Sequence, residues 1–362
     1  MTPISFPRTF RIFTAVVGVV VALSLVPLVM RPSRPEIRID AVAALGPAQA
    51  SLELGIESPL LTHVAVLAVR DANLVAPRKV YLYYDVGYPL ATSRAAAVGI
   101  YQHVASDLAL RDYPETVSIV DAEDLKQILQ ELPAAPTRAL IIPGGVFPDT
   151  VYGQDLNLVK PWVERGGLLF WVGDAFGYYS ASPGRSLTSD PTKHPKDRAP
   201  LLFWGNSPMW ALNSSFEEGQ EASEFAKALD LRYTNLGRGT LQPFLQANHG
   251  TILGWTGQGA ASIASIPLGK GYVVLWSGQV FHYDELNVAH DIVQVLDSGG
   301  ANARVLAVRT FAKARPPLSE SLALPLQPQD VALIIYAFDD NIRNTVFAKR
   351  VIMLSTSTNA TP

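Results

Sequence analysis

Side chains capable of acid–base work lie at the ends of two apolar runs. Asp174 sits in Gly173-Asp-Ala-Phe-Gly177, where the run 167–173 stops; His282, Asp284 and Glu285 sit in Gln279-Val-Phe-His-Tyr-Asp-Glu285, just beyond the run 272–277. Carboxylates paired near an imidazole can move protons or bind a cation, because their surroundings split their pKa values. Each residue also has a plainer role. An Asp at a strand end caps the helix that follows, and a single His after a core strand serves as a hydrogen-bonded structural residue. Gly144-Gly145, closing the run 138–143, suits a tight turn that needs positive φ. No cysteine occurs in the chain, which excludes disulfides, thiolate metal sites and thiol catalysis together. Gly-x-Ser-x-Gly and His-Glu-x-x-His are absent, and no metal-ligand spacing connects the six histidines. Gly254-x-x-Gly257-x-Gly259 has neither dinucleotide nor phosphate-loop spacing and reads as a hairpin turn. No cofactor and no metal are expected.

The elements that would position these residues read as strand, helix, strand. The run 138–143 is closed by glycines, 156–165 has helical spacing, and 167–173 is a second run ending in glycine. Continuous apolar runs suit strands covered on both faces, and in such sheets ligands meet the loops beyond the carboxyl ends of the strands. Upstream, the strand 79–85 ends in Asp85, Gly87 and Tyr88, and Thr92 or Ser93 caps a helix running to 109. A strand at 117–120 follows, and Asp121 caps a helix at 123–132. This order predicts an α/β fold with a wound, mostly parallel, right-handed sheet in flavodoxin-like layers.

The Pro143-Gly144-Gly145 turn after one strand and Gly173-x-x-x-Gly177 after the next resemble the class I glutamine amidotransferase superfamily. The likeness covers roughly 78–299. In that family the middle of the second motif is a nucleophilic cysteine on a tight strand-to-helix elbow, and Ala175 stands at that position here. Gln279 to Glu285 is similar to the segment that carries the catalytic histidine and glutamate in His-x-Glu spacing. His282 matches the histidine, Asp284 the acidic position, and Glu285 lies beside it. Gly144-Gly145 would be the oxyanion-hole turn. The resemblance therefore implies a degenerate site of Ala175, His282 and Asp284 with no catalytic residue expected. Its pocket would be lined by Gly144, Gly145, Asp174, Tyr178, Tyr179, His282, Asp284 and Glu285. A covalent route needs a thiolate beside an imidazole, and alanine cannot attack anything. Similar catalytically dead domains occur in auxiliary components of bacterial membrane assemblies, including ABC-transporter accessory proteins related to gliding motility.

Ile12 to Met30 is apolar and uncharged, with Arg8 and Arg11 before it and Arg31 and Arg34 after. At 1.5 Å per residue it matches roughly the hydrocarbon thickness, so a membrane span is expected; the alternative is a signal peptide cleaved near Ala22-x-Ser24. Arginines at both ends leave orientation open, with a slight lean toward a cytoplasmic body. A short basic tail before a single span, together with the missing cysteines, favours an extracytoplasmic one. The expected organisation is a tail, transmembrane helix and linker at 1–35, early strands at 36–77 that possibly pair with the C-terminal module, and the amidotransferase-like domain at 78–300. An aromatic insertion at 178–250 interrupts that domain, loop-like except for a helix near 217–229. An antiparallel β module at 301–354 and a disordered tail at 355–362 complete the chain.

With a formal net charge of −3 and scattered basic residues, no footprint for nucleic acid is visible. The expected partners are the membrane, through Ile12 to Met30, and other membrane or envelope proteins. Tyr178, Tyr179 and the Trp residues of the insertion would either stack on a sugar or peptide or fill a core. The leading expectation is a non-catalytic, membrane-anchored binding or assembly protein. One alternative is a cell-surface hydrolase that uses Asp174, His282 and Asp284 or Glu285 with a water nucleophile. The other is an envelope structural protein.

Overall fold

A computed structural model of the chain describes residues 40–45, 49–56, 61–70, 79–110, 117–131, 138–153, 155–173, 175–185, 187–189, 195–211, 220–234, 239–278, 280, 284–299, 303–310, 318–339 and 347–354. The order of the main elements is β1 (Asp40–Leu45), β2 (Gln49–Ile56), β3 (Leu61–Val69), β4 (Lys79–Tyr83), α1 (Arg94–Leu110), β5 (Val117–Val120), α2 (Ala122–Gln130), β6 (Arg138–Ile142), α3 (Val159–Glu164) and β7 (Leu168–Gly173). Then come α4 (Pro195–Trp204), α5 (Glu224–Leu229), α6 (Gln242–Ala247), β8 (Ile263–Leu268), β9 (Gly271–Ser277) and α7 (Glu285–Asp297). Four strands follow: β10 (Ala303–Thr310), β11 (Leu318–Pro325), β12 (Ala332–Asp339) and β13 (Phe347–Met353).

A seven-stranded sheet lies at the centre, in the order Thr251–Ile252, β8, β9, β7, β6, β4, β5. Side chains alternate between its two covered faces. Ile141, Phe170, Val172, Val274 and Trp276 pack toward α1 and α7, whereas Leu140, Ile142, Leu169, Trp171 and Leu275 pack toward α2, α3 and the aromatic side chains beyond them. Burial on both faces explains why these runs show no polar alternation. The helices α1 and α7 are themselves covered on their far side by a four-stranded sheet, in the order β10, β3, β12, β13. Its other face meets a three-stranded sheet, β1, β2, β11, across Leu52, Leu54, Val64, Val66, Leu322, Leu333 and Ile335. Strands from both ends of the chain thus build the outer layers, with β2 antiparallel to β11 and β3 antiparallel to β10 and β12.

The fold class needs correction. A wound, mostly parallel sheet does not describe this molecule, which mixes parallel pairing with several antiparallel sheets. Only β5, β4, β6, β7 and β9 run parallel; β8 is antiparallel to β9, and Thr251–Ile252 is antiparallel to β8. The cause is connection length: β8 and β9 are joined by Gly269-Lys270, with Gly269 at φ 62°, which leaves no room for the crossover that parallel strands require. The 178–250 stretch, expected to be mostly loop, contains α4, α5 and α6. Its short strands join Trp255–Gly257 and Ala260–Ala261 in a five-stranded antiparallel sheet. The single-pass membrane assignment is corrected as well. No helix among the described residues is long and apolar enough to cross a membrane, and Ile12 to Met30, on which that assignment and the extracytoplasmic location rested, lies outside them.

Two local arrangements fix the strand ends where the site was expected. At the ends of β6 and β7, Gly145 has φ 64° and Gly173 has φ 135°. A Cβ on Gly173 would stand 2.7 Å from the Gly145 Cα, while one on Gly145 would meet the Gly173 Cα at 3.3 Å. Beyond β9, the buried Asp291 of α7 accepts the backbone N–H groups of Arg232 at 2.9 Å and Tyr233 at 2.8 Å. The Tyr233 hydroxyl in turn donates to the Ser277 carbonyl at 3.5 Å, and Ser277 Oγ shares a 2.8 Å bond with Thr240 Oγ1. Burial pushes the Asp291 carboxyl up to about 8, against the pull of those two N–H donors and of Arg232.

Gly173→Ala is expected to cost about 3 kcal/mol or more of unfolding free energy, since it combines a glycine-only backbone with overpacking. Gly145→Ala is expected to cost about 1 kcal/mol, because its φ lies in the left-handed region that other residues tolerate at a penalty. Urea denaturation of both variants checks the order. For Asp291, the native state keeps a proton that the unfolded chain has released, so between about pH 4 and pH 8 stability falls as pH rises. Asp291→Asn is expected to lose about 1–2 kcal/mol at pH 5 through one unsatisfied backbone donor, yet to show a flatter stability profile from pH 5 to pH 8. A steeper profile in the variant contradicts this account.

Candidate functional site

The turn at Gly144-Gly145 is closed. Both glycines are buried, and a Cβ on Gly144 would come within 2.6 Å of Leu90 Cδ2. The backbone N–H groups of Ala91 and Thr92 donate to the Gly144 carbonyl at 2.9 and 3.2 Å, and Thr92 Oγ1 donates to the Pro143 carbonyl at 3.4 Å. Loop 88–92 therefore covers the place where an oxyanion would be held.

Residues after β7 do not form an elbow. Ala175 to Tyr178 make a turn, with the Tyr178 N–H donating to the Ala175 carbonyl at 3.1 Å, and Tyr179–Ala181 form a strand. A turn and a strand thus stand where the resemblance calls for a helix. Ala175 is half-buried and packs against the aromatic core. Phe176, fully buried, sets its ring 5.2 Å from Trp171 and 4.9 Å from Phe203, so this turn is pinned by core packing. Tyr178 and Tyr179 are half-buried and meet edge-to-face at 4.3 Å.

Asp174 and His282 lie outside the described residues. Asp284 precedes α7 and its carbonyl accepts the Val288 N–H at 3.0 Å, but its side chain does not cap the helix. Glu285 turns toward α1: a Cβ on Gly99 would come within 2.8 Å of its Cγ, and its Oε2 is buried without a hydrogen-bond partner. The Glu285 side chain thus belongs to the α1–α7 contact. Among the described residues, no group of three or more His, Cys, Asp or Glu could hold a metal ion.

A second set of polar groups gathers at the carboxyl ends of β4 and β5. Asp85 Oδ1 accepts the Gly87 N–H at 2.8 Å and Oδ2 accepts the Ala122 N–H at 3.2 Å, at the start of α2. Asp121 caps the same helix, accepting from Glu123 and Asp124 at 3.0 and 2.9 Å. Asp149 accepts the Tyr88 hydroxyl at 3.4 Å and, on its other oxygen, a short bond from Ser182 Oγ. Tyr83 points its hydroxyl into the protein, where it is buried with no partner. Burial pushes the Tyr88 phenol up to about 12, helped by the Asp149 and Asp85 carboxylates. Tyr83 is raised still further, first by burial and then by Asp85, Tyr88, Asp149 and Asp121. Both phenols stay protonated at neutral pH, as donors beside carboxylate acceptors. Only Asp85, Gly87 and Tyr88 of this group draw notice in the sequence, as the end of a strand. Asp149 and Ser182 carry no motif, since the loops that bring them together are far apart in the chain.

No family model and no curated protein matches the chain. Among solved structures it is similar to Gan42B, a GH42 β-galactosidase from G. stearothermophilus, at 13% identity and a TM-score of 0.34, over 77% of this chain and 39% of that one. It is also similar to the exo-β-1,4-mannosidase Op5Man5 from Opitutaceae bacterium strain TAV5, at 17% identity and a TM-score of 0.30, over 61% of this chain and 34% of that one. A third is the cytoplasmic protein STM1381 from Salmonella typhimurium LT2, at 11% identity and a TM-score of 0.32, over 60% of this chain and 97% of that one. The chain spans well under half the length of the two glycosidases it matches. Scores this low carry no argument about fold or activity.

Proposed function

We propose that the chain is a non-catalytic binding or assembly protein built on a degenerate amidotransferase-like plan. The observation that carries this reading is the turn at Ala175. A methyl group stands where the resemblance places sulfur, half-buried against the aromatic core, and a strand follows it. A nucleophilic thiolate depends on a lowered pKa, which a helix N-terminus or a neighbouring cation supplies. Removing both the sulfur and the helix removes the covalent route twice over. The loop over Gly144 supports the same reading, because it fills the space an oxyanion would need. The hydrolase alternative gains no support from Glu285, whose carboxyl lies in the α1–α7 contact.

Ala175→Cys tests this directly, since the variant contains a single thiol. Its alkylation rate is expected to rise with pH around the ordinary thiol value of about 8.5, and neither it nor the wild type releases ammonia from glutamine. A thiol that titrates below about 7 indicates a preorganised nucleophile site and overturns the reading, as does ammonia release by the wild type.

A further inference from the structure

The corner at the carboxyl ends of β4 and β5 has an excess of acceptors and one stranded hydroxyl. Among the described residues, Asp85, Asp121 and Asp149 have no ion-pair partner. Tyr83 is 3% exposed, and its hydroxyl finds no hydrogen bond although Asp85, Asp121, Asp149 and Tyr88 all lie within electrostatic reach. A buried unpaired hydroxyl is costly, and natural structures satisfy such groups with protein, water or ligand. Strand alternation explains the placement: Tyr81 and Tyr83 share the face that packs against Val120, Ala122 and Val146, so the Tyr83 ring runs under the loops that carry the acids.

The mouth of the corner is open to a ligand. Asp85, Asp149 and Ser182 are half-buried, Gly87 is exposed, and Val86 is 74% exposed on the rim. The loops on either side are held together by the Gly184 N–H bond to the Gly87 carbonyl at 3.1 Å. Ligand chemistry follows from the acceptors. Both oxygens of Asp85 already take backbone N–H groups, and both oxygens of Asp149 take hydroxyls. The lone pairs that remain are dispersed, and the described residues offer no cluster for a metal ion. A planar cation with several N–H donors fits dispersed acceptors and phenol rings better than a compact divalent ion does.

We propose that Asp85, Asp149, Tyr83 and Tyr88 form a binding site for a guanidinium group, such as an arginine side chain presented by a protein partner. The proposal deepens the binding reading and rests on it for its purpose. In the occupied site the carboxylates and the Tyr83 oxygen accept N–H groups from the guanidinium, and Val86 meets the aliphatic stem.

N-acetyl-arginine amide is the probe, titrated into the full chain with tyrosine ring carbons labelled and followed by NMR. The neutral analogue N-acetyl-citrulline amide and the chlorides of magnesium and calcium serve as comparisons. The expected result is saturable movement of the Tyr83 resonance, assigned by Tyr83→Phe, with citrulline at least about tenfold weaker. Asp149→Asn and Tyr83→Phe are each expected to weaken the arginine probe, the former by at least about tenfold. Tyr83→Phe preserves the ring and keeps the test sharp should Asp149→Asn disturb the fold. The proposal is overturned if the arginine probe leaves the Tyr83 resonance unmoved, if citrulline binds equally, if either metal produces the same movement at lower concentration, or if Tyr83→Phe binds like the wild type. Failure here leaves the Ala175→Cys titration unaffected, and a depressed thiol there leaves this affinity as measured.

Discussion

At the carboxyl ends of β6 and β7 the backbones of Gly145 and Gly173 approach so closely that no side chain fits between them. Positive φ at both positions lets each strand turn away at once. The first turn runs beneath Leu90 and Ala91; the second leads into Phe176, whose ring locks among Trp171, Phe203 and Phe147. β9 joins the same contact, because the Gly278 N–H donates to the Gly173 carbonyl at 3.3 Å. Three strand ends are therefore closed by backbone packing, and what would be a mouth in an open α/β sheet becomes a seal. Space for a ligand remains only farther along the sheet, where β4 and β5 end in polar loops.

The outer sheets depend on the same central body through a buried polar joint. Asp297, at the end of α7, takes Lys349 Nζ on Oδ1 and on its carbonyl, both at 2.8 Å, and the Tyr336 hydroxyl also donates to that carbonyl at 2.8 Å. The Asp297 side chain is 4% exposed. Such a pair contributes little net stability, because desolvation offsets the attraction, but it penalises any other seating of β12 and β13 against the helix. Apolar packing of Leu67, Ile334 and Phe338 supplies the bulk of the contact, and the ion pair fixes how it is seated.

Much of the central sheet was legible because burial on both faces writes itself as unbroken apolar runs: 138–143 and 167–173 correspond to β6 and β7. Helix α2 was legible for a different reason, the Asp121 cap ahead of an amphipathic stretch. What failed has a common physical origin. The spacing Gly173-x-x-x-Gly177 serves a strand-to-helix elbow and a strand-to-strand turn equally well, since both need positive φ, and only the burial of Phe176 decides between them. Short antiparallel strands between 178 and 262 escaped notice because runs of two or three residues have no period to read. Glu285 looked like a site acid by its distance from His282, yet the absence of a side chain at Gly99, a full helix away in the sequence, draws it into the α1–α7 contact. The acid and phenol corner was the least legible part, for its members lie on loops spread from 83 to 182 and meet only through the order of the sheet.

The chemistry of that corner also bears on why the chain binds rather than reacts. A phenol serves as nucleophile or base only as phenolate, and carboxylates surrounding Tyr83 and Tyr88 oppose that charge on top of burial. Carboxylates could act as bases, but Asp85 is tied by two backbone N–H groups and Asp149 by two hydroxyls, so their strongest acceptor directions are already engaged. Asp149 would be the natural base for Ser182, since they share a short bond. That pair nevertheless lacks the imidazole that accepts and returns a proton during acyl transfer, because a carboxylate is too weak a base to hold it at neutral pH. What survives this elimination is a fixed negative field with dispersed acceptors and neutral donors. An arrangement of that kind gains most from a ligand that brings a spread positive charge and several N–H groups, and it gains nothing from a bond-breaking step.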